Sequence, residues 1–173
     1  KGVDGFRLDV INLLSKNQDF PNDTLETPNH DGRRFYTDGP KIHKYLHDIN
    51  KNVFSLYKNS MTVGEMSSTT IEHCINYTKP ENEEISMTFN FHHLKVDYPN
   101  GEKWALAPFD FKKLKNILFD WQVKMQEGNG WNAVFWCNHD QPRVLSRFGD
   151  DVKYPKESAK MLATAIHLMR GTP

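Results

Sequence analysis

The stretch "GFRLDV", from Gly5 to Val10, indicates how the rest of the chain folds. It is a short apolar run bounded by polar residues, which is typical of a buried β-strand. Arg7 and Asp9 lie toward its C-terminal end. Because side chains alternate along a strand, these two side chains should project to the same side.

Three similar runs follow, and each run is succeeded by a helix-like pattern. Further strands are predicted at "SMTVGEM" (60–66), "ISMTFNF" (85–91) and "WNAVFWCN" (131–138). Apolar residues at helical spacing predict helices over 42–56, 111–127 and 155–170. Another helix should begin at Thr69, with Glu72 completing a capping box. Four strand–helix units predict an α/β fold, in which parallel strands are covered by helices on the outside.

The composition excludes several classes of function. The chain has 173 residues, with 22 basic and 22 acidic residues and a net charge of zero. We therefore expect no nucleic-acid partner and no membrane-surface partner. The apolar runs fall short of the ~20 residues of a membrane span. The two cysteines, Cys74 and Cys137, are far apart in the sequence and form no metal-binding motif, so we expect reduced thiols in a cytoplasmic protein.

Polar side chains gather at the predicted C-terminal ends of the strands. Arg7 and Asp9 follow the first strand, Glu65 ends the second, and "NHD" (138–140) ends the fourth, with Arg143 shortly after. In a (β/α)8 barrel these ends form one face, where active sites lie. Asp9, Glu65 and Asp140 would then surround one pocket.

Three such acids suit the hydrolysis of glycosides. One carboxylate attacks the anomeric carbon, a second carboxyl protonates the leaving oxygen, and nearby anions stabilise the oxocarbenium-like transition state. The guanidinium of Arg7 can keep Asp9 ionised and oriented. Metal binding by Asp9, Glu65, His139 and Asp140 is the alternative, but no HxH or HExxH spacing supports it, and we expect no metal and no cofactor.

"GFRLD", "VGE" and "NHD", in this order, resemble three sequence motifs of glycoside hydrolase family 13, the α-amylase family. The resemblance implies a partial (β/α)8 TIM barrel comprising about strands four to seven. Residues 1–173 would form part of the catalytic domain, with the upstream strands, the last strand and a C-terminal β-domain outside the chain. It also implies that Asp9 is the nucleophile, Glu65 the general acid/base and Asp140 the transition-state stabiliser. Arg7 would orient the nucleophile, and His139 and Arg143 would contact the bound glucosyl unit.

Three further stretches bear on the substrate. "DVIN", which contains Val10, resembles a branch of the family whose members hydrolyse short α-1,6-linked glucosides or trehalose 6-phosphate. "HDGRRFYTDGP", in the long irregular loop from Lys16 to Pro40, and "SMTFNFHHLKVDYPNGEKW" (86–104) resemble the members that act on trehalose 6-phosphate. The resemblance therefore implies a small phosphorylated disaccharide as the partner. A basic cluster, which comprises His92, His93, Lys95 and Lys103, follows the third strand. The phosphate of this substrate would be held by His92, Lys95 and Lys103 of the cluster, with Arg33 or Arg34 added from the loop.

Two alternatives remain open from the sequence. A neutral isomaltose-type substrate would not need the basic cluster. A non-catalytic relative of the family would be expected to lose the acids, which this chain keeps at Asp9, Glu65 and Asp140. Because four strands do not close a barrel, we expect the isolated chain to be inactive and to self-associate.

Overall fold

The computed structural model describes residues 2–25 and 31–173 of the chain. The chain divides into two compact units: the first comprises Lys1–Asn90 and Met125–Trp131, and the second comprises Phe91–Lys124 and Asn132–Pro173. The long loop predicted between Lys16 and Pro40 lies partly outside the described residues. That residues 1–173 belong to one catalytic domain stays a prediction.

A parallel sheet forms the centre of the first unit. Its strands are β1 (Gly5–Leu8), β2 (Met61–Glu65) and β3 (Met87–Phe89), and they lie side by side in this order. Helix α1 (Ile42–Asn52) connects β1 to β2, and α2 (Ile71–Thr78) connects β2 to β3. The register pairs Leu8 with Gly64 and Glu65 with Phe89. The predicted alternation of parallel strands and helices is confirmed for these elements.

The helices of the first unit bury narrower faces than the sequence predicts. On α1, Ile42 and Leu46 are buried, whereas Leu56 lies beyond the end of the helix and is exposed. Helix α2 begins one residue later than predicted, because Thr70 and not Thr69 is its N-cap. The hydroxyl of Thr70 accepts a hydrogen bond of 3.2 Å from the backbone N–H of His73. Thr70 has the extended backbone that an N-cap requires.

Two apolar side chains lie against the backbone of Gly64. A Cβ at this position would lie 2.7 Å from Ile85 Cδ1 and 2.8 Å from Met66 Cε. Either contact would force a shift in the buried layer beside Glu65. The glycine of "VGE" therefore allows close packing beneath the end of β2.

The second unit is built mainly from helices. Its helices are α3 (Phe111–Glu127), α4 (Val144–Phe148) and α5 (Pro155–His167), and 3₁₀ turns lie at His92–Leu94 and Pro99–Gly101. Helix α3 belongs to this unit as far as Lys124. Five buried side chains form its core: Leu94, Val96, Leu114, Phe148 and Leu162. The core joins the segment that follows β3 to all three helices.

The predicted fourth strand, over 131–138, is reduced to isolated bridge residues at Asn132 and Ala133 in the described part of the chain. Ala133 bridges Thr172 in parallel. Thr172 donates to the carbonyl of Asn132 at 2.9 Å, and its own carbonyl accepts from Val134 N at 2.8 Å. A full strand needs a ladder of such bonds along consecutive residues, and the two bonds to Thr172 do not form one.

Helix α5 buries Leu162 and Ile166, one turn apart, rather than the broader face that the sequence predicts. The helical spacing of apolar residues over 155–170 predicts an inward face that includes Met161 and Leu168, but these side chains are 59% and 82% exposed. Together with Phe111 and other apolar side chains they line a groove of about 530 Å³ within the second unit. Self-association of the isolated chain stays a prediction.

Candidate active site

Arg7 joins two carboxylates at the C-terminal edge of the sheet. Its Nη1 donates to Asp9 Oδ1, and its Nη2 donates to Glu65 Oε2 at 2.7 Å. Arg7 and Asp9 therefore project to the same side, as the alternation along β1 predicts. The parallel pairing of β1 with β2 brings Glu65 to the same place although it lies 58 residues away in the sequence. One guanidinium thus fixes the relative position of the two acids.

The two acids have contrasting surroundings. Glu65 is only 5% exposed, whereas the side chain of Asp9 is 75% exposed. Burial raises the pKa of Glu65, and the neighbouring Asp9 raises it further, while the Val10 N–H and the Arg7 charge act in the opposite direction. A raised pKa suits a general acid, and an exposed carboxylate paired with arginine suits a nucleophile.

The backbone of Val10 adds a third contact to Glu65. Its N–H donates to Glu65 Oε2 at 3.2 Å. Val10 has φ 35° and ψ 47°, which is the left-handed region. A β-branched residue is rarely found there, and such a conformation costs of order 1–3 kcal/mol. The chain therefore accepts local strain beside the two acids.

Asn12 is a site residue that the sequence analysis did not single out. It is fully buried, and its side-chain amide exchanges two hydrogen bonds with the backbone of Ser67. Ser67 lies two residues after Glu65, and Asn12 lies three residues after Asp9. The two hydrogen bonds therefore join the segments that follow the two acids. Its signals in the sequence are its place in "DVIN" and its position shortly after a strand end.

His139, Asp140 and Arg143 lie in the second unit, in and after the turn that begins at Asn138. The side chain of Asn138 accepts from the backbone N–H of Asp140 at 3.0 Å, an arrangement that is common in turns. His139 Nε2 lies 3.3 Å from Asp140 Oδ2, and both side chains are largely exposed. Arg143 is exposed at the start of α4. The "NHD" residues therefore present a carboxylate and an imidazole to solvent.

A buried ion pair between Arg147 and Asp97 lies next to this turn. The sequence analysis did not predict it. The guanidinium of Arg147 contacts both carboxylate oxygens of Asp97, with Nε at 2.5 Å from Oδ2. It also donates to the carbonyl of Leu94 and, at 3.0 Å, to Gln141 Oε1. The charged side chains are 9% and 10% exposed. The pair links the segment after β3 to Gln141, the neighbour of Asp140.

The basic cluster proves to be heterogeneous. His93 is buried, its Nε2 lies 2.7 Å from the carbonyl of Phe135, and burial lowers its pKa to about 4. His93 is therefore neutral at pH 7, and counting it as a cation was wrong. His92 stacks on the ring of Trp121, with centroids 5.6 Å apart. Lys95 is exposed directly after this turn.

Contacts are also seen for Lys103 and for the two arginines of the loop. Lys103 Nζ lies 4.7 Å from the centre of the Trp104 ring. Arg33 pairs with Asp31, and its Nη1 donates to the hydroxyl of Ser68 at 2.6 Å. Arg34 Nε lies 2.9 Å from Asp23 Oδ1. A phosphate would have to compete with a carboxylate for either arginine of the loop.

The described residues contain neither a metal-binding group of side chains nor a membrane-spanning helix. Over residues 2–25 and 31–173, no three histidine, cysteine or acidic side chains are arranged to hold a metal ion. In the same part of the chain, no helix is both long enough and apolar enough to cross a bilayer. Cys74 is buried and Cys137 half-buried, and both are free thiols.

Comparison with known proteins places this geometry in a family. The sequence profile of the alpha-amylase catalytic domain matches residues 1–173. The chain is 70% identical to the trehalose-6-phosphate hydrolase of Bacillus subtilis and 58% identical to that of Escherichia coli, in both cases over the whole chain and 30% of the relative. The oligo-1,6-glucosidase of Bacillus cereus is 49% identical over 100% of this chain and 31% of its own length.

Solved structures of the same family are also similar to this chain. The crystal structure of Bacillus licheniformis trehalose-6-phosphate hydrolase superposes with a TM-score of 0.93 at 69% identity, covering 99% of this chain and 30% of that one. An isomaltulose synthase mutant from Erwinia rhapontici gives 0.88 at 32% identity, again covering 99% and 30%. The chain thus spans about 30% of the length of its relatives. It belongs to the α-amylase family, and its parallel strands and helices match part of that family's (β/α)8 barrel.

Proposed function

We propose that the protein containing this chain is a retaining α-glucoside hydrolase that cleaves trehalose 6-phosphate to glucose and glucose 6-phosphate. The observation that carries the proposal is the bridge from Arg7 to an exposed Asp9 and a buried Glu65. The choice of substrate is supported by the relatives, since the trehalose-6-phosphate hydrolases share more identity with this chain than the oligo-1,6-glucosidases do.

In the first step, an Asp9 carboxylate oxygen bonds to the anomeric carbon as the glycosidic C–O bond breaks. The leaving oxygen takes the proton of Glu65, whose raised pKa keeps that proton in place. In the second step, the Glu65 carboxylate takes a proton from water, and the water oxygen displaces Asp9 from the anomeric carbon. Two displacements at one carbon retain its configuration.

Arg7 has two tasks in this scheme. Its contact with Asp9 favours the ionised, nucleophilic carboxylate. Its 2.7 Å contact with Glu65 holds the acid at a fixed distance from the nucleophile. The positive charge also keeps the pKa of Glu65 from rising further, so that the carboxylate can form after the proton has been given up.

The other roles rest on the sequence motifs. We assign Asp140 to stabilisation of the oxocarbenium-like transition state, and His139 and Arg143 to contacts with the glucosyl unit. Val10, next to the nucleophile, is assigned to the substrate contacts of this branch of the family. The chain as a whole is proposed to be part of one catalytic barrel domain, without a metal or a cofactor.

Phosphate recognition is assigned first to Lys95. It is exposed, and it follows the turn that the Arg147–Asp97 pair fastens through Leu94. His92 and Lys103 are assigned as additional donors. Arg33 and Arg34 remain weaker candidates, because each is already paired with a carboxylate of its own loop.

The test compares two substrates with the full-length protein. We expect kcat/KM for trehalose 6-phosphate to exceed that for isomaltose by at least ~100-fold, a factor that the loss of one or two charge-assisted hydrogen bonds would produce. A protein that prefers isomaltose would be an oligo-1,6-glucosidase, and the phosphate assignment would fall. A protein that hydrolyses neither substrate would overturn the whole proposal.

A further inference from the structure

Asn12 makes an unusual set of contacts for a residue on a connecting segment. It is 0% exposed, its Nδ2 donates to Ser67 O at 2.8 Å, and its Oδ1 accepts from Ser67 N at 3.0 Å. Its own carbonyl accepts from Asp38 N at 2.9 Å. A buried amide with both ends bonded to one distant backbone residue fixes the two segments to each other.

We propose that Asn12 is a positioning residue for the reaction: it clamps the segment after β1 to the segment after β2 and thereby holds the Val10 N–H on the Glu65 carboxylate. The proposal rests on the proposed function, because it assigns Asn12 to the control of the acid/base.

The strain at Val10 is the reason that such a clamp is needed. A left-handed valine persists only where its surroundings determine it. Two contacts do so here: the turn Ile11–Leu13, closed by the 3.0 Å bond from Leu13 N to the Val10 carbonyl, and the Asn12 amide in the middle of that turn. Without the amide, Val10 can relax to an ordinary backbone conformation, and its N–H then turns away from Glu65.

Relaxation of Val10 would change the acidity of Glu65 in a known direction. The charges that face Glu65 within the first unit are Arg7, which favours the carboxylate, and Asp9, which opposes it. The Val10 N–H adds a hydrogen bond to the ionised form. When that bond is lost, the carboxylate is less stable and the acid keeps its proton to higher pH.

The experiment is the pH profile of kcat/KM for neutral phenyl α-glucoside, measured on the full-length protein. Its poor leaving group needs the proton of Glu65. In Asn12→Ala we expect the basic limb, which reports deprotonation of Glu65, to move up by ~1 pH unit, the size expected for one hydrogen bond to a charged group. The control is Ser15→Ala. Ser15 is also buried, and its hydroxyl accepts from Lys41 N at 2.9 Å.

Ser15→Ala should lower thermal stability and leave the basic limb in place. If Asn12→Ala does not fold, Asn12→Ser retains a hydroxyl at the site and should give a smaller shift of the same sign. An active Asn12 variant with the wild-type profile, or an equal shift in Ser15→Ala, overturns the inference alone. Absence of aryl α-glucoside hydrolysis by the wild-type protein overturns the proposed function and this inference with it.

Discussion

Replacing Arg147 by methionine should destabilise the protein strongly and selectively impair use of the phosphorylated substrate. The guanidinium is almost fully buried against Asp97, Leu94 and Gln141. Removing it leaves the Asp97 carboxylate, only 10% exposed, without that partner. Breaking one side of a buried ion pair costs about 3–5 kcal/mol.

The double variant separates stability from positioning. Arg147→Met with Asp97→Leu replaces both charges by apolar side chains, which is often neutral or stabilising. We therefore expect the double variant to recover most of the lost stability in urea denaturation. The link from Leu94 and Asp97 to Gln141 stays broken, so KM for trehalose 6-phosphate should remain raised in the double variant.

The matched assay uses an uncharged aryl α-glucoside, which does not need the segment that carries Lys95. If the free energy of unfolding of Arg147→Met lies within about 1 kcal/mol of the wild-type value, the claim that the pair is buried and costly to break is refuted. Full recovery of the trehalose-6-phosphate KM in the double variant would refute the claim that the pair positions the substrate-binding segment.

Two further predictions concern the basic cluster. Because the pKa of His93 falls from 6.5 to about 4 on folding, the unfolded chain binds more protons between these values. The contribution of neutral His93 to the free energy of unfolding should then be fully present above pH 6.5, and it should fall by up to about 3 kcal/mol as the pH drops toward 4. Urea denaturation midpoints should show that His93→Gln removes this acid sensitivity and that His139→Gln does not. Lys95→Ala should lower kcat/KM for trehalose 6-phosphate by roughly 10- to 150-fold, as the loss of one charge-assisted hydrogen bond predicts, and leave an aryl α-glucoside unaffected. Lys112→Ala, an exposed charge on α3, is the control, and an equal loss on both substrates would mean that Lys95 supports the fold.

The sequence predicts the sheet well because its signals are local. Period-two alternation puts Arg7 and Asp9 on one side, and their contact confirms it. Apolar runs predict β1, β2 and β3, although each observed strand is shorter than its run. The cap of α2 was missed by one residue, because adjacent threonines carry the same chemical signal and only the backbone conformation at Thr70 separates them.

The supports of the site could not be predicted, because they depend on distant partners. Asn12 bonds to backbone atoms 55 residues away, and Arg147 to a carboxylate 50 residues away. Asn12 lies in "DVIN", but that motif does not show what its side chain contacts, and no motif marks Arg147. His93 shows the same limit for charge: the sequence gives a basic residue, and burial against Phe135 makes it neutral.

The most direct test of the account is to trap the nucleophile. In the full-length protein, Glu65→Gln removes the acid/base but leaves Asp9 able to attack an activated aryl α-glucoside, whose leaving group needs no proton. The glucosyl-enzyme should then accumulate, because no general base remains to activate water. Mass spectrometry of the digested protein should find one glucosyl adduct on the peptide that contains Asp9. An adduct on another residue, or steady turnover without any adduct, would contradict the assignment of Asp9 and Glu65.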